Sequence, residues 1–126
     1  MVTAAWSFKT NFKVKMNYHA HIYWHNSEER QRAMEVRNDL HENGYALGRV
    51  WDRPIGPHPL PMYQVMYDNS TKSNIESYLA NSNLNILLHE DIGIDHLRDH
   101  TEGARWIGSP QELNLEFLRR FNQSNL

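Results

Sequence analysis

The chain of 126 residues contains no cysteine. This absence excludes disulfide frameworks, thiolate zinc sites, iron–sulfur clusters and cysteine nucleophiles. Without thiols, histidine is the natural protein ligand for borderline metal ions, and the chain carries eight histidines. The histidines are therefore the first candidates for metal-binding or catalytic residues.

An excess of charge of one sign is also missing, since the formal net charge is −2. No basic patch stands out, which argues against a nucleic-acid partner. No apolar run approaches the length of a membrane span, and the first residues lack the apolar core of a signal peptide. We therefore expect a soluble, cytoplasmic protein without a nucleic-acid or membrane partner.

The apolar content is sufficient for a folded core. Hydrophobic residues make up 40% of the chain and aromatic residues 11%, which is too much for a disordered segment. The length fits one domain. We expect a single domain over residues 1–126, with an N-terminal extension at 1–13 and a core at 14–121.

The segment from Val14 to Trp24 is predicted to be the first strand, because its even positions are apolar or aromatic and its odd positions are polar or amphipathic. Alternation with a period of two sends the two sets to opposite faces of a sheet. One face therefore belongs to a core. The other presents His19, His21 and Tyr23 in a row. Two imidazoles two residues apart on a strand can converge on one metal ion or polar ligand.

The order of the remaining segments predicts the fold. The first helix has Asn26, at capping-box spacing from Glu29, or Ser27 as its N-cap and ends at Asn43-Gly44. After it come a strand Tyr45–Asp52, a proline-rich loop, a strand Met62–Tyr67, a helix opened by a Ser73/Glu76 capping box, a strand Leu84–His89, and a terminal helix opened by a capping box at Ser109–Glu112. This order is typical of an α+β, ferredoxin-like βαββαβ sandwich with an antiparallel four-stranded sheet, here with an extra C-terminal helix. Strands one and three would be central and strand four would border strand one. Helices would cover one sheet face, and the other would stay open or meet a second subunit.

The parity of strand four places His89 on the same face as His19 and His21. Side chains on neighbouring strands lie about 5 Å apart at Cβ, so three imidazoles could reach one point. His58 sits in the stiff segment Gly56-Pro57-His58-Pro59, which could hold its ring at the mouth of this face. A mononuclear site of two or three histidines with open positions suits Fe(II) or Zn(II).

Plainer interpretations stay open for each of these residues. A strand histidine is commonly a partly buried, hydrogen-bonded side chain, and His58 could be a loop residue capped by a carbonyl. His96 and His100 have a spacing that binds metal on a helix, but a solvated charged turn is the favoured interpretation. Arg49 or Arg105 could pair with a substrate carboxylate or be a surface charge.

Four groups of residues, in order, resemble the successive motifs of the DOPA 4,5-dioxygenase family. They are Tyr18-His19-Ala20-His21-Ile22-Tyr23-Trp24, then Gly56-Pro57-His58-Pro59 with Met62-Tyr63, then Leu87-Leu88-His89, then Asp99-His100-Thr101 with Ala104, Trp106, Ile107 and Gly108. Any one motif is weak, whereas four in order over about residues 17–113 are specific. The chain departs from the family after His89, where Glu90-Asp91-Ile92-Gly93 replaces a proline and an Asn-Thr-Gly turn. This departure puts the substrate in question more than the fold.

The resemblance, to the small bacterial and cyanobacterial type of candidate dioxygenase, implies a ferredoxin-like fold and an enzyme. The implied activity is extradiol-type ring cleavage of L-DOPA or a related catechol by O2 at a non-haem metal. That metal would be Fe(II), with Zn(II) as the alternative in purified protein.

From the histidine pool and this resemblance we predict three sets of site residues. The metal ligands are His21, His58 and His89. The acid–base residues are His19 and His100, with Asp99 orienting His100. The substrate contacts are Tyr23 and Arg49. If none of the three nearby acids, Glu90, Asp91 and Asp99, reaches the metal, the ligand set is all histidine.

Two functions of other classes compete with this one. The first is a non-catalytic, ferredoxin-like dimer that binds a small ligand or a metal on the open sheet face. The second is a structural dimerisation domain whose open face is buried between subunits. Burial of several histidines without partners is costly, which counts against the second. The open face predicts a homodimer.

Overall fold

The computed structural model describes residues 17–124. Its elements in chain order are β1 (Tyr18–Tyr23), α1 (Ser27–Glu42), β2 (Ala46–Leu47), β3 (Met62–Tyr67), α2 (Lys72–Ala80), β4 (Asn85–Glu90), α3 (His96–Asp99), β5 (Ala104–Ile107) and α4 (Leu115–Ser124). The predicted first strand is confirmed at Tyr18–Tyr23. Its predicted start at Val14 and the predicted extension at 1–13 lie outside the described residues. No helix of the described part is long and apolar enough to cross a membrane.

The sheet has the strand order β2-β3-β1-β4-β5, and all neighbouring strands are antiparallel. The prediction that strands one and three are central and that strand four borders strand one is confirmed. The α+β class is confirmed as well. The predicted number of strands was one too few, because β5 pairs with the outer edge of β4. This four-residue strand carries Ala104-Arg105-Trp106-Ile107, whose alternation is too short to stand out in the sequence.

The main core lies between the sheet and the two long helices. Ala20 and Ile22 of β1 are fully buried there. Helix α1 contributes Ala33, Val36 and Leu40 at helical spacing. The even positions of β1 therefore face the helices, as their alternation predicted, and the odd positions face the opposite side.

The N-cap predictions had different outcomes. The Asn26 side chain accepts a hydrogen bond from the backbone N–H of Glu29 at 2.9 Å, which confirms the first cap. The second capping box is wrong, because α2 begins at Lys72 after Thr71. The carboxylate of Glu76 instead accepts hydrogen bonds from Tyr67, Lys72 and Arg105. Tertiary partners have thus taken the acid that would have closed the box.

The third capping box is also wrong, because the last helix begins at Leu115 and not after Ser109. The backbone N–H of Ser109 donates to the side chain of Asn85, and the N–H of Asn114 donates to the carbonyl of Pro57. These two bonds hold both ends of the intervening segment in place. Asn114 then accepts from the N–H of Phe117 at 3.1 Å and caps the helix.

Strand two is shorter than predicted. Ladder pairs join Leu47 to Val65, and a single bridge joins Trp51 to Met62. Trp51 follows Leu47 by four residues, but their partners on β3, Met62 and Val65, are only three residues apart. One residue is therefore extra on this side, and the strand bulges between these two pairs. The bulge separates the edge strand from the loop that follows it.

The sheet face opposite the helices is not open, which corrects the prediction. Tyr23, Met62 and Leu87 form a second buried cluster on this face. Trp51, Ile55, Leu60, Trp106 and Leu113 pack against it from the proline-rich loop, β5 and the segment before α4. The chain therefore covers much of this face itself, and the histidines lie at one end of the covered region.

Candidate functional site

Five histidines from four parts of the chain converge on the second face of the sheet. They are His19 and His21 on β1, His58 in the proline-rich loop, His89 on β4 and His100 directly after α3. The β1–β4 register brings the β-strand members together, because His19 pairs directly with His89. The loop and α3 then add rings from above the sheet. The ring centroids of His21 and His58 are 4.1 Å apart, and those of His89 and His100 are 4.0 Å apart.

The centre of the cluster is the contact between His21 and His89. Their Nε2 atoms are 2.9 Å apart, and both side chains are buried. This separation suits an N–H···N hydrogen bond. It also suits two ligands of one cation, since two metal–nitrogen bonds of about 2.1 Å at a right angle separate the nitrogens by about 3 Å. The Nδ1 atom of His21 is buried and has no hydrogen-bond partner among the described residues.

Backbone carbonyls determine which nitrogen of two other histidines carries the hydrogen. The Nδ1–H of His89 donates to the carbonyl of Glu90 at 2.6 Å. The Nδ1–H of His100 donates to the carbonyl of His96 at 2.7 Å. A carbonyl can only accept, so each Nδ1 holds the hydrogen, and in the neutral ring Nε2 keeps its lone pair. A second nitrogen fixed in this way is the usual environment of a metal-binding histidine.

The two remaining histidines have side-chain partners. His19 lies at the rim, where its Nε2 is 3.1 Å from a carboxylate oxygen of Asp91. His58 is buried, and its Nδ1 is 2.8 Å from the hydroxyl of Tyr23. Tyr23 itself has no exposed surface and stacks on Trp106. Tyr23 therefore supports a histidine from inside the core.

Burial keeps this cluster uncharged. Desolvation, with a smaller contribution from His100, lowers the pKa of His58 to about 3. The same two causes lower the pKa of His89 to about 2. Desolvation also lowers the pKa of His21 far below its usual range, and lowers those of His19 and His100 despite nearby acids. At neutral pH the site therefore presents neutral imidazoles, the form that binds cations.

The donor set fits a metal ion. One ligand atom from each of His19, His21 and His89 lies within 4.8 Å of the others, and the same holds for His21, His58 and His100. His21 belongs to both triads. The buried Nδ1 of His21 has no partner among the described residues and would gain one from a cation on that side of the ring.

A cavity of about 340 Å³ opens beside the cluster. The buried His21 and His58 line it, together with Trp51, Gln64 and the exposed Arg49. The guanidinium of Arg49 lies 3.9 Å from the ring centroid of Trp51, a cation–π contact that leaves the cation exposed at the edge of the cavity. The volume and the mixed lining suit a small aromatic molecule with polar groups.

Three predicted roles need correction. Tyr23 contacts His58 inside the core and is not on a surface that a substrate could reach. Asp99 does not bond to the ring of His100. The carboxylate of Asp99 is buried and accepts from the N–H of Ile92 at 3.1 Å, while the ring of His100 donates to a carbonyl. Arg105 pairs with Glu76 on the helix side of the sheet, which is the face opposite the cavity.

The pair His96 and His100 separates in the structure. The ring of His96 lies 4.6 Å from that of Phe121 on α4, whereas His100 joins the cluster. The spacing of four residues therefore does not build a helical metal site here, and α3 is a single turn. His100 keeps its place among the predicted site residues for a different reason, namely its contact with His89.

Reasoning from sequence missed two residues of the site. Gln64 pairs with His21 across β1 and β3, so the register of these two strands would have placed it on the histidine face. Trp51 lies after the bulge of the edge strand, where parity arguments fail. The sequence suggests Asp91 only as a metal ligand, whereas in the structure its carboxylate lies 3.1 Å from Nε2 of His19.

Comparisons with known proteins point in one direction. The model of the Dopa 4,5-dioxygenase family matches residues 18–117. A DOPA 4,5-dioxygenase of Amanita muscaria is 37% identical over 112 residues, which are 80% of this chain and 49% of that protein. An uncharacterised 21.2 kDa protein of Botryotinia fuckeliana is 28% identical over 120 residues, 83% of this chain and 63% of that protein. The chain thus spans about half to two thirds of the length of these fungal relatives.

A solved structure is similar to this chain in both fold and sequence. It is the crystal structure of a candidate dioxygenase from Nostoc punctiforme PCC 73102, with a TM-score of 0.78 and 38% identity. The match covers 83% of this chain and 92% of that one. The match to the family model runs from β1 to the start of α4 and therefore spans the positions of all five histidines of this cluster.

Proposed function

The chain belongs to the Dopa 4,5-dioxygenase family, and we propose that it is an extradiol-type ring-cleaving dioxygenase for L-DOPA or a related catechol. The observation that carries the proposal is the cluster of five neutral, buried or half-buried imidazoles beside a cavity of aromatic size. Ring cleavage by oxygen needs a redox-active centre that a catechol can reach, and this part of the molecule offers a place for one.

The residues that would hold the metal are His21 and His89, completed by His19 or His100. His21 and His89 have the short contact between ring nitrogens, and the nitrogens of His89 and His100 that face away from their carbonyls keep lone pairs. We propose Fe(II), with Zn(II) as the alternative in purified protein, because an all-imidazole set with open positions suits both. When bound, Fe(II) would let electrons pass from a chelated catechol to O2.

The cavity would hold the catechol. Its polar inner wall of His21 and His58 suits the two ring hydroxyls, and Trp51 gives the ring an aromatic neighbour. Arg49, at the outer edge, is placed to pair with the carboxylate of L-DOPA. The polar end and the charged end of such a substrate thus each meet a matching side chain.

With His100 completing the metal set, His19 at the rim of the cluster is the residue proposed to move protons. Its Nε2 lies 3.1 Å from a carboxylate oxygen of Asp91, a contact that holds the ring in place. The ring is only partly exposed and lies 5.1 Å from that of His89, between centroids. A histidine oriented by a carboxylate at this place could accept a proton from a substrate hydroxyl and release it to solvent.

Localisation in the cytoplasm and assembly as a homodimer remain proposals. The loop and the terminal segment already cover much of the second sheet face, so a second subunit would contact only the part that they leave free. Sedimentation of the purified protein measures the assembly directly.

Oxygen uptake by the iron-loaded protein tests the proposed activity. Metal-free protein is loaded with Fe(II) without oxygen, mixed with L-DOPA, and exposed to a known amount of O2. We expect one O2 consumed for each L-DOPA and a yellow semialdehyde product with the mass of L-DOPA plus two oxygen atoms. Tight binding of iron and catechol without oxygen uptake would favour the non-catalytic binding protein instead.

A further inference from the structure

The hydrogen-bond partners of the histidines divide the cluster into two kinds of imidazole. We propose, on the basis of the proposed function, that His58 is not a metal ligand and that its Nε2–H donates a hydrogen bond to an oxygen of the bound diol. Tyr23 is then the positioning residue that gives His58 this role. This assignment differs from the prediction made from the sequence, which has His58 as a metal ligand and Tyr23 as a substrate contact.

The hydroxyl of Tyr23 must donate its hydrogen to His58. Tyr23 is fully buried, and among the described residues the hydrogen-bond partner of its hydroxyl is Nδ1 of His58 at 2.8 Å. A buried O–H that donates to nothing is costly. If Nδ1 of His58 carried the hydrogen, the hydroxyl could only accept, and its own hydrogen would have no acceptor. The hydroxyl therefore donates, Nδ1 accepts, and the neutral ring of His58 carries its hydrogen on Nε2.

His89 and His100 have a different kind of partner at Nδ1 from that of His58. His89 and His100 each bond a carbonyl through Nδ1, which forces the opposite arrangement and leaves a lone pair on Nε2. A nitrogen that carries hydrogen cannot bind a cation. A carbonyl partner therefore marks a ligand, and the tyrosine partner marks a donor.

Tyr23 and His58 are both held rigidly by the surrounding structure. Tyr23 is packed among Met62, Leu87 and Trp106 in the second cluster. The loop around His58 is bound on both sides, because the N–H of His58 donates to Ile55 and the carbonyl of Pro57 accepts from Asn114. Neither side chain can easily turn to exchange donor and acceptor, so the arrangement is built into the fold.

The last step is the place of His58 at the cavity. His58 lines the cavity together with His21 and Arg49. Because Nδ1 is occupied by Tyr23, Nε2 is the nitrogen left for a molecule in the cavity. A donor there suits the oxygen of a deprotonated diol, since hydrogen bonds to charged oxygen are the strong ones.

Metal affinity tests whether His58 is a ligand. The affinity for Co(II) is measured by competition with a chelator for the wild type, His58→Leu and His89→Leu. We expect His58→Leu to bind within about threefold of the wild type, and His89→Leu to lose on the order of a hundredfold. A loss in His58→Leu as large as in His89→Leu would make His58 a ligand and overturn the proposal.

The state of the ring can be read directly, without activity or metal. In metal-free protein with ¹⁵N-labelled histidine, two-bond ¹H–¹⁵N correlation spectra show which nitrogen of His58 carries the hydrogen. We expect Nε2–H in the wild type and a mixture or Nδ1–H in Tyr23→Phe. Tyr63→Phe is the matched control, because it removes a buried hydroxyl bonded to the carbonyl of Ala33 on the helix side. Nδ1–H in the wild type would overturn the proposal even if every variant folds.

Binding of a catechol completes the test. Titration of Co(II)-loaded protein with 4-nitrocatechol in the absence of oxygen should show binding about 10–100-fold weaker for His58→Leu than for the wild type. His58→Gln, whose amide N–H has a reach similar to Nε2–H, should recover most of it. Equal binding by the wild type and His58→Leu would contradict the donor role. Failure of the wild type to bind any catechol would reject the proposed function, while the ¹⁵N experiment would still judge the pair of Tyr23 and His58.

Discussion

The Nε2 atoms of His21 and His89 are 2.9 Å apart, although the two residues are separated by 68 positions in the chain. They are diagonal neighbours on adjacent strands, since His21 pairs with Leu87 and His89 with His19. Diagonal side chains on one sheet face are within reach of long rings. The sheet therefore brings together two ring nitrogens that no local motif could place.

Removal of either ring should abolish tight metal binding. We expect His21→Ala and His89→Ala each to weaken Co(II) binding by at least about a hundredfold, because the remaining imidazoles cannot complete the set. His25→Ala is the control, since His25 is exposed and contacts Glu29 at the start of α1. The measurement is competition with a chelator, with metal content determined by mass spectrometry. Unchanged affinity in His21→Ala would rule out this residue as a ligand.

The charge of Arg49 should matter only for substrates that carry a carboxylate. We expect Arg49→Ala to raise KM for L-DOPA about tenfold and to leave KM for dopamine nearly unchanged, since dopamine lacks the carboxylate. Arg53→Ala is a matched control, because Arg53 also lies over the ring of Trp51 and is not part of the cavity lining. If both substrates lost affinity equally, the role of Arg49 would be to pack against Trp51.

Mild acid should destabilise the metal-free protein. Burial lowers the pKa of His58 to about 3 and that of His89 to about 2, while histidine in an unfolded chain titrates near 6.5. Between these values the unfolded chain binds more protons than the folded one, so the free energy of unfolding decreases as the pH falls below 6.5. Each pKa unit corresponds to about 1.4 kcal/mol, and we expect a loss of about 2–4 kcal/mol between pH 7 and pH 5.

Urea unfolding curves of metal-free protein at several pH values measure this loss. The variant His58→Gln serves as a comparison, because it removes one of the buried titrating groups and should flatten the dependence. A free energy of unfolding that stays constant from pH 7 to pH 5 would show that these imidazoles are not kept neutral by the fold.

A side chain at Gly108, directly after β5, should lower the stability of the fold. Its φ is +75°, and an added Cβ would meet the side chain of Asn85, whose oxygen accepts from the N–H of Ser109. We expect Gly108→Ala to cost about 2–4 kcal/mol. Gly44→Ala is matched, because Gly44 has a φ of +83° and open space around it, and should cost about 1 kcal/mol. Thermal unfolding measures both, and equal costs would show that contact with Asn85 is unimportant.

Sequence patterns predicted those parts of the site that lie on regular strands. The period of two along β1 and β4 placed His19, His21 and His89 on one face, because the pleat leaves no other choice. The split βαβ order made β1 and β4 neighbours. The proline loop was located as a rigid segment, but its distance from the strands was not determined by any local rule.

The role of each histidine could not be predicted in this way, because it depends on partners that are remote in sequence. His58 and Tyr23 are 35 residues apart, and His19 meets Asp91 across two strands. Helix starts failed for the same reason, since Glu76 and Ser109 were taken by tertiary partners. A capping box is local, but a carboxylate binds whichever donors the fold brings nearest.

The sequence by itself determined the family, the α+β class, the central strands and the presence of a histidine face, since these depend on order and periodicity along the chain. Only the tertiary structure decided that the second sheet face is covered, that His100 joins the cluster and His96 does not, and that Tyr23 serves His58. The physical reason is that the hydrogen of an imidazole goes to the nitrogen whose neighbour needs it, and those neighbours come from distant parts of the chain.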